Sequence, residues 1–286
     1  MSNSIASSAR MRMSQRPRVS RHSTFERTTF AAAASVLVLA LAWALLPSLF
    51  TSGDPLQTGT AARLQAPSAA HLFGTDLLGR DVYTRVVHGA ARSLSGAAFA
   101  VTIGLVVGVM VGLCAGYLGG IAESALMRLV DVLLAVPGLL LAMAIVVAFG
   151  FGTINAAIAV GVGSIATFAR LTRSEVLRVR EMDYVEAAVG SGSSKFVVMI
   201  HHVLPNCARP VLALVALQFG SAILALATLG YLGYGTAPPD PEWGLLIADG
   251  RDYMAVAWWL TVLPGLVIVA VVLAAGRLGA GIGKGR

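Results

Sequence analysis

Six stretches of this chain are apolar for long enough to cross a lipid bilayer, and a chain built that way has few folds open to it. They lie at about 29–50, 94–118, 127–149, 153–170, 209–232 and 255–276, the fourth being the shortest. About 20 residues at 1.5 Å each cross a hydrocarbon core of roughly 30 Å. Lipid gives backbone N–H and C=O groups no partner, so spanning segments close their own bonds as helices or as a sealed barrel. The short alternating segments of a membrane barrel are absent. The fold class expected is an all-α membrane protein with six transmembrane helices. Composition agrees: 57% of the 286 residues are hydrophobic and 12% are charged. About a quarter charged is usual for a soluble domain. That balance excludes a disordered protein and speaks against a conventional soluble enzyme.

The formal charge of +7 is a topology signal before it is a nucleic-acid signal. Sixteen of the 21 Lys and Arg fall before the first span, at the second-to-third turn (Arg128), between spans four and five, or after span six. With six spans these all share one side. Arg63, Arg80, Arg85, Arg92 and Arg251 remain for the other. Positive charge stays inside, so both termini are expected in the cytoplasm. Residues 1–28, Arg- and Ser-rich with Glu26 as their only acid, read as a disordered basic tail beside anionic lipid. An organellar transit peptide or a secretory signal fits them less well. Cys114 and Cys207 are far apart, each in or beside an apolar run, and read as small buried hydrophobes.

In the second span Gly96, Ala100, Gly104, Gly108, Gly112, Gly116 and Gly120 recur every fourth residue. Small residues so spaced let helix backbones approach closely. Each step of four advances the stripe by about 40°, so it winds around the helix. One partner must cross it at an angle, or two partners must share it. An outer loop at 51–93 should end in a short interfacial helix over Asp81–His88. A second outer loop, Gly235 to Tyr253, carries Pro238, Pro239 and Pro241, which favour rigid extended backbone, and Trp243, which suits a membrane interface. Pro137 should kink the third span. The core is expected at 94–280, followed by a short cytoplasmic tail at 281–286.

The segment at about 170–208 carries most of the argument. Between 170 and 186 eight of 17 positions are charged, a density that cannot cross lipid. Glu175/Arg178, Arg178/Glu181 and Arg180/Asp183 are three apart and so neighbours on a helix surface. Glu186-Ala187-Ala188 follows, then a Gly-Ser-Gly-Ser-Ser break at 190–194, then an apolar run ending His202-Val203-Leu204-Pro205-Asn206. The pattern predicts two short cytoplasmic helices joined by a tight turn, the second capped by Ser193 or Ser194. So much patterned loop on a compact membrane protein points to a docking element for a soluble partner, against the plainer reading of a solvated loop.

EAA, three residues, Gly192, nine residues and then His202-Val-Leu-Pro resembles the EAA loop of ABC-importer permease subunits. His71 to Asp81 (HLFGTDLLGRD), Met127 to Asp131, Ala169 to Arg173, and Pro238 to Gly244 followed by Gly250-Arg251-Asp252 are similar to the C-type permease of dipeptide, oligopeptide and nickel importers. The likeness runs in order over about 71–280. It implies a type I ABC importer transmembrane-domain fold with a cytoplasmic coupling helix. Implied partners are a second permease, two ATPase subunits holding ATP and Mg, and an extracytoplasmic peptide-binding protein. No cofactor is implied on this chain, which would sit in membrane lipid and bind no nucleic acid. Coupling would fall to Glu186, Ala187, Ala188, Gly192, His202, Leu204 and Pro205. Asp76, Arg80, Asp81, Trp243 and Arg251 are the candidates on the outer loops. Two departures stand out: Leu226 replaces a usual glutamate, so no pore carboxylate carries over, and Gly190 is an extra residue in the loop.

Other readings are plainer. Adjacent His201 and His202 point about 100° apart on a helix, poor geometry for one metal ion, and no metal site is expected. Gly-Ile-Gly-Lys284-Gly is a shadow of a phosphate-binding loop, with Leu278 where a glycine is needed and Gly285 where a hydroxyl must hold Mg. No catalytic triad or carboxylate pair stands out, so the chain is read as no enzyme. Without a charge well inside the spans, a proton-coupled carrier is disfavoured. The first reading is a peptide-importer permease. The alternatives are the same machine carrying nickel or another small solute, and a non-transporting scaffold that recruits a cytoplasmic partner.

Overall fold

The computed structural model describes residues 21–59 and 61–284. The expected basic tail lies outside the described residues as far as residue 20. Helices α1 (Arg21–Leu45), α2 (Val82–Leu118), α3 (Gly120–Ala135), α4 (Gly138–Phe149) and α5 (Thr153–Arg180) are followed by the short α6 (Asp183–Gly190) and α7 (Lys195–Val198). Then come α8 (Leu204–Tyr231), α9 (Trp243–Gly250) and α10 (Trp259–Lys284). Among the described residues there is no strand; one isolated bridge pairs Thr75 with Asp81. Five helices are long and apolar enough to cross a membrane, and the bent pair α3–α4 makes a sixth if it counts as one span.

The expected third span is broken rather than kinked. Pro137 has no N–H to donate, and its ring would clash with the preceding turn. Val136 takes the extended conformation imposed on a residue before proline (φ −89°, ψ 128°). The two halves meet at 91°.

α2 departs from expectation at its start. Asp81 Oδ1 accepts the Thr84 N–H at 2.7 Å, and from that cap a single helix of 37 residues runs to Leu118. No separate interfacial helix exists over 81–88, and the outer loop ends at 81 instead of 93. Protein, not solvent, covers the polar residues of this first stretch: Ser93 Oγ accepts the Trp243 N–H at 3.1 Å. Similarly, α5 absorbs the charged run to Arg180. α1 begins at Arg21 and stops at Leu45, with a single 3-10 turn at Pro47–Leu49. α10 continues to Lys284 through most of the expected tail, and 285–286 lie outside the described residues.

The glycine stripe is shared by two partners. A side chain at Gly104 would collide with Ser164 Oγ. One at Gly108 would come within 2.5 Å of Phe168 Cβ, and one at Gly112 within 2.6 Å of Thr172 Cβ. Gly116 meets Val176 in the same way. Both series advance by four in the same direction, so α2 and α5 run parallel in close contact. Gly96 faces Leu226 of α8 instead. Leu226, at the position where the resemblance expects a glutamate, is thereby buried as an ordinary core residue.

Candidate functional site

α6 is the centre of the predicted docking element. It ends in a Schellman turn: Ser193 N–H donates to the Ala188 carbonyl at 3.2 Å and Gly192 N–H to Val189 at 3.0 Å. Gly192 holds the left-handed position, φ +87°, that this turn requires. Ser194 Oγ accepts from Val197 N–H at 3.4 Å and starts the next helix, the role expected of Ser193 or Ser194. That helix is not a separate short one. α7 passes through a π turn at Met199–Val203 straight into α8, making a rod from Phe196 to Tyr231. Pro205 explains the π turn: it cannot donate to the carbonyl four residues back, and widening the helix relieves the clash. Leu204 N–H reaches the Met199 carbonyl, and Asn206 Nδ2 donates to the His202 carbonyl at 2.7 Å.

One face of this unit is anchored. Val185 packs with Val176 and Val179 of α5, and with Val198, Val203 and Cys207 at the root of α8. Ala188 and Leu204 join the cluster from its edge. The opposite side is open: Glu186, Ala187 and Pro205 are exposed, as are Tyr184 (41%), Val189 and Phe196 (69%). The ring of His202 lies 6.5 Å from that of Tyr184, and His201 Nδ1 faces the Val197 carbonyl at 3.2 Å. Among the described residues no group of three His, Cys, Asp or Glu could hold a metal ion. Arg170 pairs with Asp131 at 2.7 Å, and Arg173 grips Glu123 through Nε and Nη2, tying α5 to α3. Arg180 Nη1 donates to the Gly116 carbonyl at 3.1 Å. The expected pair Glu175/Arg178 forms at 2.6 Å. Exposed apolar side chains on an element whose other face is locked into two long helices are what a docking lever needs, and the sequence reading did not single out Tyr184, Val189 or Phe196. Their signal was apolar residues within a short, charged helical region.

At the other end of the bundle, residues 51–81 and 232–258 form a platform, and most of the outer-loop candidates are consumed by its own structure. Arg80 Nε donates to Asp76 Oδ2 at 2.6 Å, and both residues are buried. Asp81 caps α2 and faces His71 Nδ1 at 2.8 Å. Trp243, expected at a membrane interface, is fully buried, and its Nε1–H donates to the Val86 carbonyl at 2.9 Å. Arg251 alone stays exposed, its guanidinium 5.9 Å from the Tyr231 ring centre. Asp76, Arg80 and Trp243 are therefore building elements of the platform, because tertiary closure, invisible in local sequence, turns them inward.

Two buried charges were missed altogether. Arg85 is 1% exposed; it donates to the Pro55 carbonyl at 3.0 Å and stands 3.9 Å from both Asp76 and Asp249. Glu242 caps α9 by accepting the Gly244 N–H at 3.1 Å through Oε1, while Oε2 has no partner and lies against Gly230 and Gly235. Burial pushes this carboxyl up to about 7, and the backbone N–H groups of Gly244 and Leu245 only partly offset it. Burial likewise raises Asp249, with Arg85 and then Arg80 opposing.

Comparison with known proteins bears on what such a bundle is. Over 239 residues the chain is 42% identical to the dipeptide transport system permease protein DppC of Alkalihalophilus pseudofirmus, covering 84% of this chain and 79% of that protein. It is 45% identical over 219 residues to the di/tripeptide transport system permease protein DppC of Pseudomonas aeruginosa (77% and 72% covered). It is 42% identical over 216 residues to the glutathione transport system permease protein GsiD of Escherichia coli (76% and 71%). Among solved structures, an amino acid ABC transporter with histidines matches at TM-score 0.56 and 16% identity, over 71% of this chain and 94% of that one. The inward-facing MetNI methionine ABC transporter matches at TM-score 0.54 and 18% identity (69% and 95%). These two show a shared fold, the type I ABC importer transmembrane domain. Residues 104–281 match the family described as binding-protein-dependent transport system inner membrane component, and this chain, a multi-pass membrane protein, belongs to that family.

Proposed function

We propose that the chain is one membrane-spanning subunit of an ATP-driven importer of di- and oligopeptides. The observation that carries the reading is the α6–Gly192–α7 unit, anchored to α5 and α8 by one face and exposing Tyr184, Val189 and Phe196 on the other. Arg170, Arg173, Arg178, Arg180, Lys195 and Arg209, grouped on and beside this unit, support a cytoplasmic position for it and for both termini. In this reading one of two ATPase subunits, which bind ATP and Mg, docks there, a second permease completes the pore, and an extracytoplasmic binding protein delivers cargo. Closure of the ATPases pushes α6. The push passes through Val185 into Val176 and Val179 of α5 and into Val198, Val203 and Cys207 at the root of α8. Rigid close-packed helices carry it inward and alternate access to the pore. Glu186, Ala187, Ala188, Gly192, His202, Leu204 and Pro205 form and hold the lever. On the outer side Arg251 remains available to cargo, while Asp76, Arg80, Asp81 and Trp243 keep the platform's shape.

Peptide cargo is favoured over nickel or another small solute by the dipeptide, di/tripeptide and glutathione names of the relatives. A passive scaffold would bind an ATPase without flux. The test is ATP-dependent uptake of labelled peptides into proteoliposomes holding this chain and its partners, with ionophores collapsing ion gradients. Gly192→Val should abolish uptake and leave membrane insertion intact, because a Cβ there meets no atom within 4 Å yet cannot hold φ +87° without strain. Undiminished uptake by that variant would sink the coupling assignment.

A further inference from the structure

Midway through the bundle α4, α5 and α8 enclose a cleft of about 390 Å³. Its lining includes Ser164, Gln218, Ser221 and Thr228 among small and aliphatic residues, and none of its lining residues is ionisable. Gln218 lies near the middle of α8, about 20 Å from either helix end at 1.5 Å per residue. A primary amide at that depth is costly in hydrocarbon unless it is hydrogen-bonded. Among the described residues the side chains of Gln218 and Ser221 have no hydrogen-bond partner. Ser164 donates its hydroxyl hydrogen to the Gly161 carbonyl and Thr228 to Leu224, each at 2.8 Å, which leaves their oxygens free to accept. Polar intramembrane groups of this kind face water, a protein neighbour or cargo, not lipid.

Three features favour cargo. The surface is concave, and its size falls within the roughly 300–1,000 Å³ range of small-molecule sites. Two of its walls, α5 and α8, are the helices that hold the α6 unit, so the cleft changes shape when that unit is pushed. Its chemistry is that of a peptide main chain in complement: the Gln218 amide both donates and accepts, Ser221 does the same, and Ser164 and Thr228 accept. A fixed charge would sort peptides by side-chain charge, and the lining has none.

Building on the importer reading above, we propose that Gln218, with Ser221, Ser164 and Thr228, recognises the main-chain amides of a passing peptide and leaves its side-chain charge unread. The experiment compares ATP-driven uptake of labelled Ala-Ala, Ala-Lys and Ala-Glu by the assembled transporter in proteoliposomes, each variant being scored as its ratio to wild type for the same peptide. Gln218→Leu should lower uptake of all three by about tenfold, the loss of one or two hydrogen bonds, with ATPase activity retained. Gln218→Lys should favour Ala-Glu over Ala-Lys. Ser221→Asp, at another polar position of the cleft lining, should do the reverse. If wild type transports and these two charged variants keep its preference, the cleft is not on the cargo path and the proposal is overturned while the importer reading stands. A transport defect in Gln218→Leu confined to one peptide would also overturn it. Failure of wild type to take up any peptide would remove the importer reading itself.

Discussion

At the platform end of the bundle charged side chains turn inward, although Leu72, Val256 and Trp258 stay exposed; at the α6 end the charges lie at the surface and a buried valine cluster anchors a short helix with exposed apolar side chains. Asp76, Arg80, Arg85 and Glu242 are all buried, and each performs a local task such as capping, pairing or holding a carbonyl. Around α6, Tyr184, Val189, Phe196 and Val197 are exposed while Glu186 and the Glu175–Arg178 pair lie at the surface. Buried charge is retained only with good geometry, and removing a partner is expensive. Exposed apolar surface on an otherwise well-packed element marks a place where something else binds. The contrast separates a rigid end, built to keep one shape, from an end built to be gripped.

The largest expected effect is at Trp243. Trp243→Ala empties a fully enclosed site, removes the indole hydrogen bond to the Val86 carbonyl, and should cost about 3–5 kcal/mol of stability. Thermal unfolding of the purified subunit in detergent measures it. A loss below about 1 kcal/mol would mean that the platform is not the rigid end.

Glu242 comes next, and its effect depends on pH. Its carboxyl titrates at about 7 in the folded chain against an ordinary value of 4.5. Below 4.5 both folded and unfolded chains hold the proton, and the group is neutral to stability. Between 4.5 and 7 the folded chain keeps a proton that the unfolded one has released, so stability falls as pH rises, and the loss is complete above 7. Its full size is about 3 kcal/mol. Glu242→Gln keeps the Oε1 acceptor for Gly244 and removes the charge. The variant should therefore melt above wild type at pH 8, and the gap should close by about pH 4.5. An equal gap at both pH values would show that the carboxyl is solvated in the native state.

These two residues also mark the limit of what the chain discloses before it is folded. The length of the apolar runs made the spans legible, and the glycine stripe foretold close packing, with one partner crossing at an angle or with two sharing it, because helix packing depends on the spacing of small residues along one chain. The Gly-Ser-Gly-Ser-Ser break placed the turn at Gly192 for a similar reason: a left-handed position is a local property. The platform obeyed no such rule. Asp76, Arg80 and Trp243 read as exposed loop residues, and they become interior only when 51–81 and 232–258 close over the start of α2. A 91° break at Pro137 was legible as a proline but not as an angle, which α5 and the rest of the bundle decide. The exposed apolar residues of α6 and α7 were hidden by the opposite effect, since apolar positions in a helix are ordinarily assigned to the core.

Gly192→Val should cost about 1–2 kcal/mol, the penalty of holding an L residue at positive φ, with no steric part because a Cβ at this site has nothing within 4 Å. Its effect on stability is thus smaller than that of Trp243→Ala, while its effect on ATP-dependent uptake should be complete. Thermal unfolding and uptake measured on the same preparation separate the two. A variant as unstable as Trp243→Ala would place Gly192 with the rigid end.

The smallest effect on stability, and the most telling, is at Tyr184. Its side chain is 41% exposed and belongs to no part of the Val176–Val185–Cys207 cluster. Truncation removes little that the subunit itself uses, so Tyr184→Ala should change unfolding by no more than about 0.5 kcal/mol. If α6 is a gripped lever, the same truncation removes a large amphipathic side chain from a docking face, where aromatic residues commonly dominate binding. Retention of the ATPase partner during size-exclusion chromatography should then fall, with Val185 and its buried anchor left intact. The two ends give opposite orders: at Trp243 stability is lost and association follows it, whereas at Tyr184 association is lost alone. Loss of stability at Tyr184 on the scale seen at Trp243 would erase the distinction between the ends, because the exposed face of α6 would then be part of the subunit's own packing.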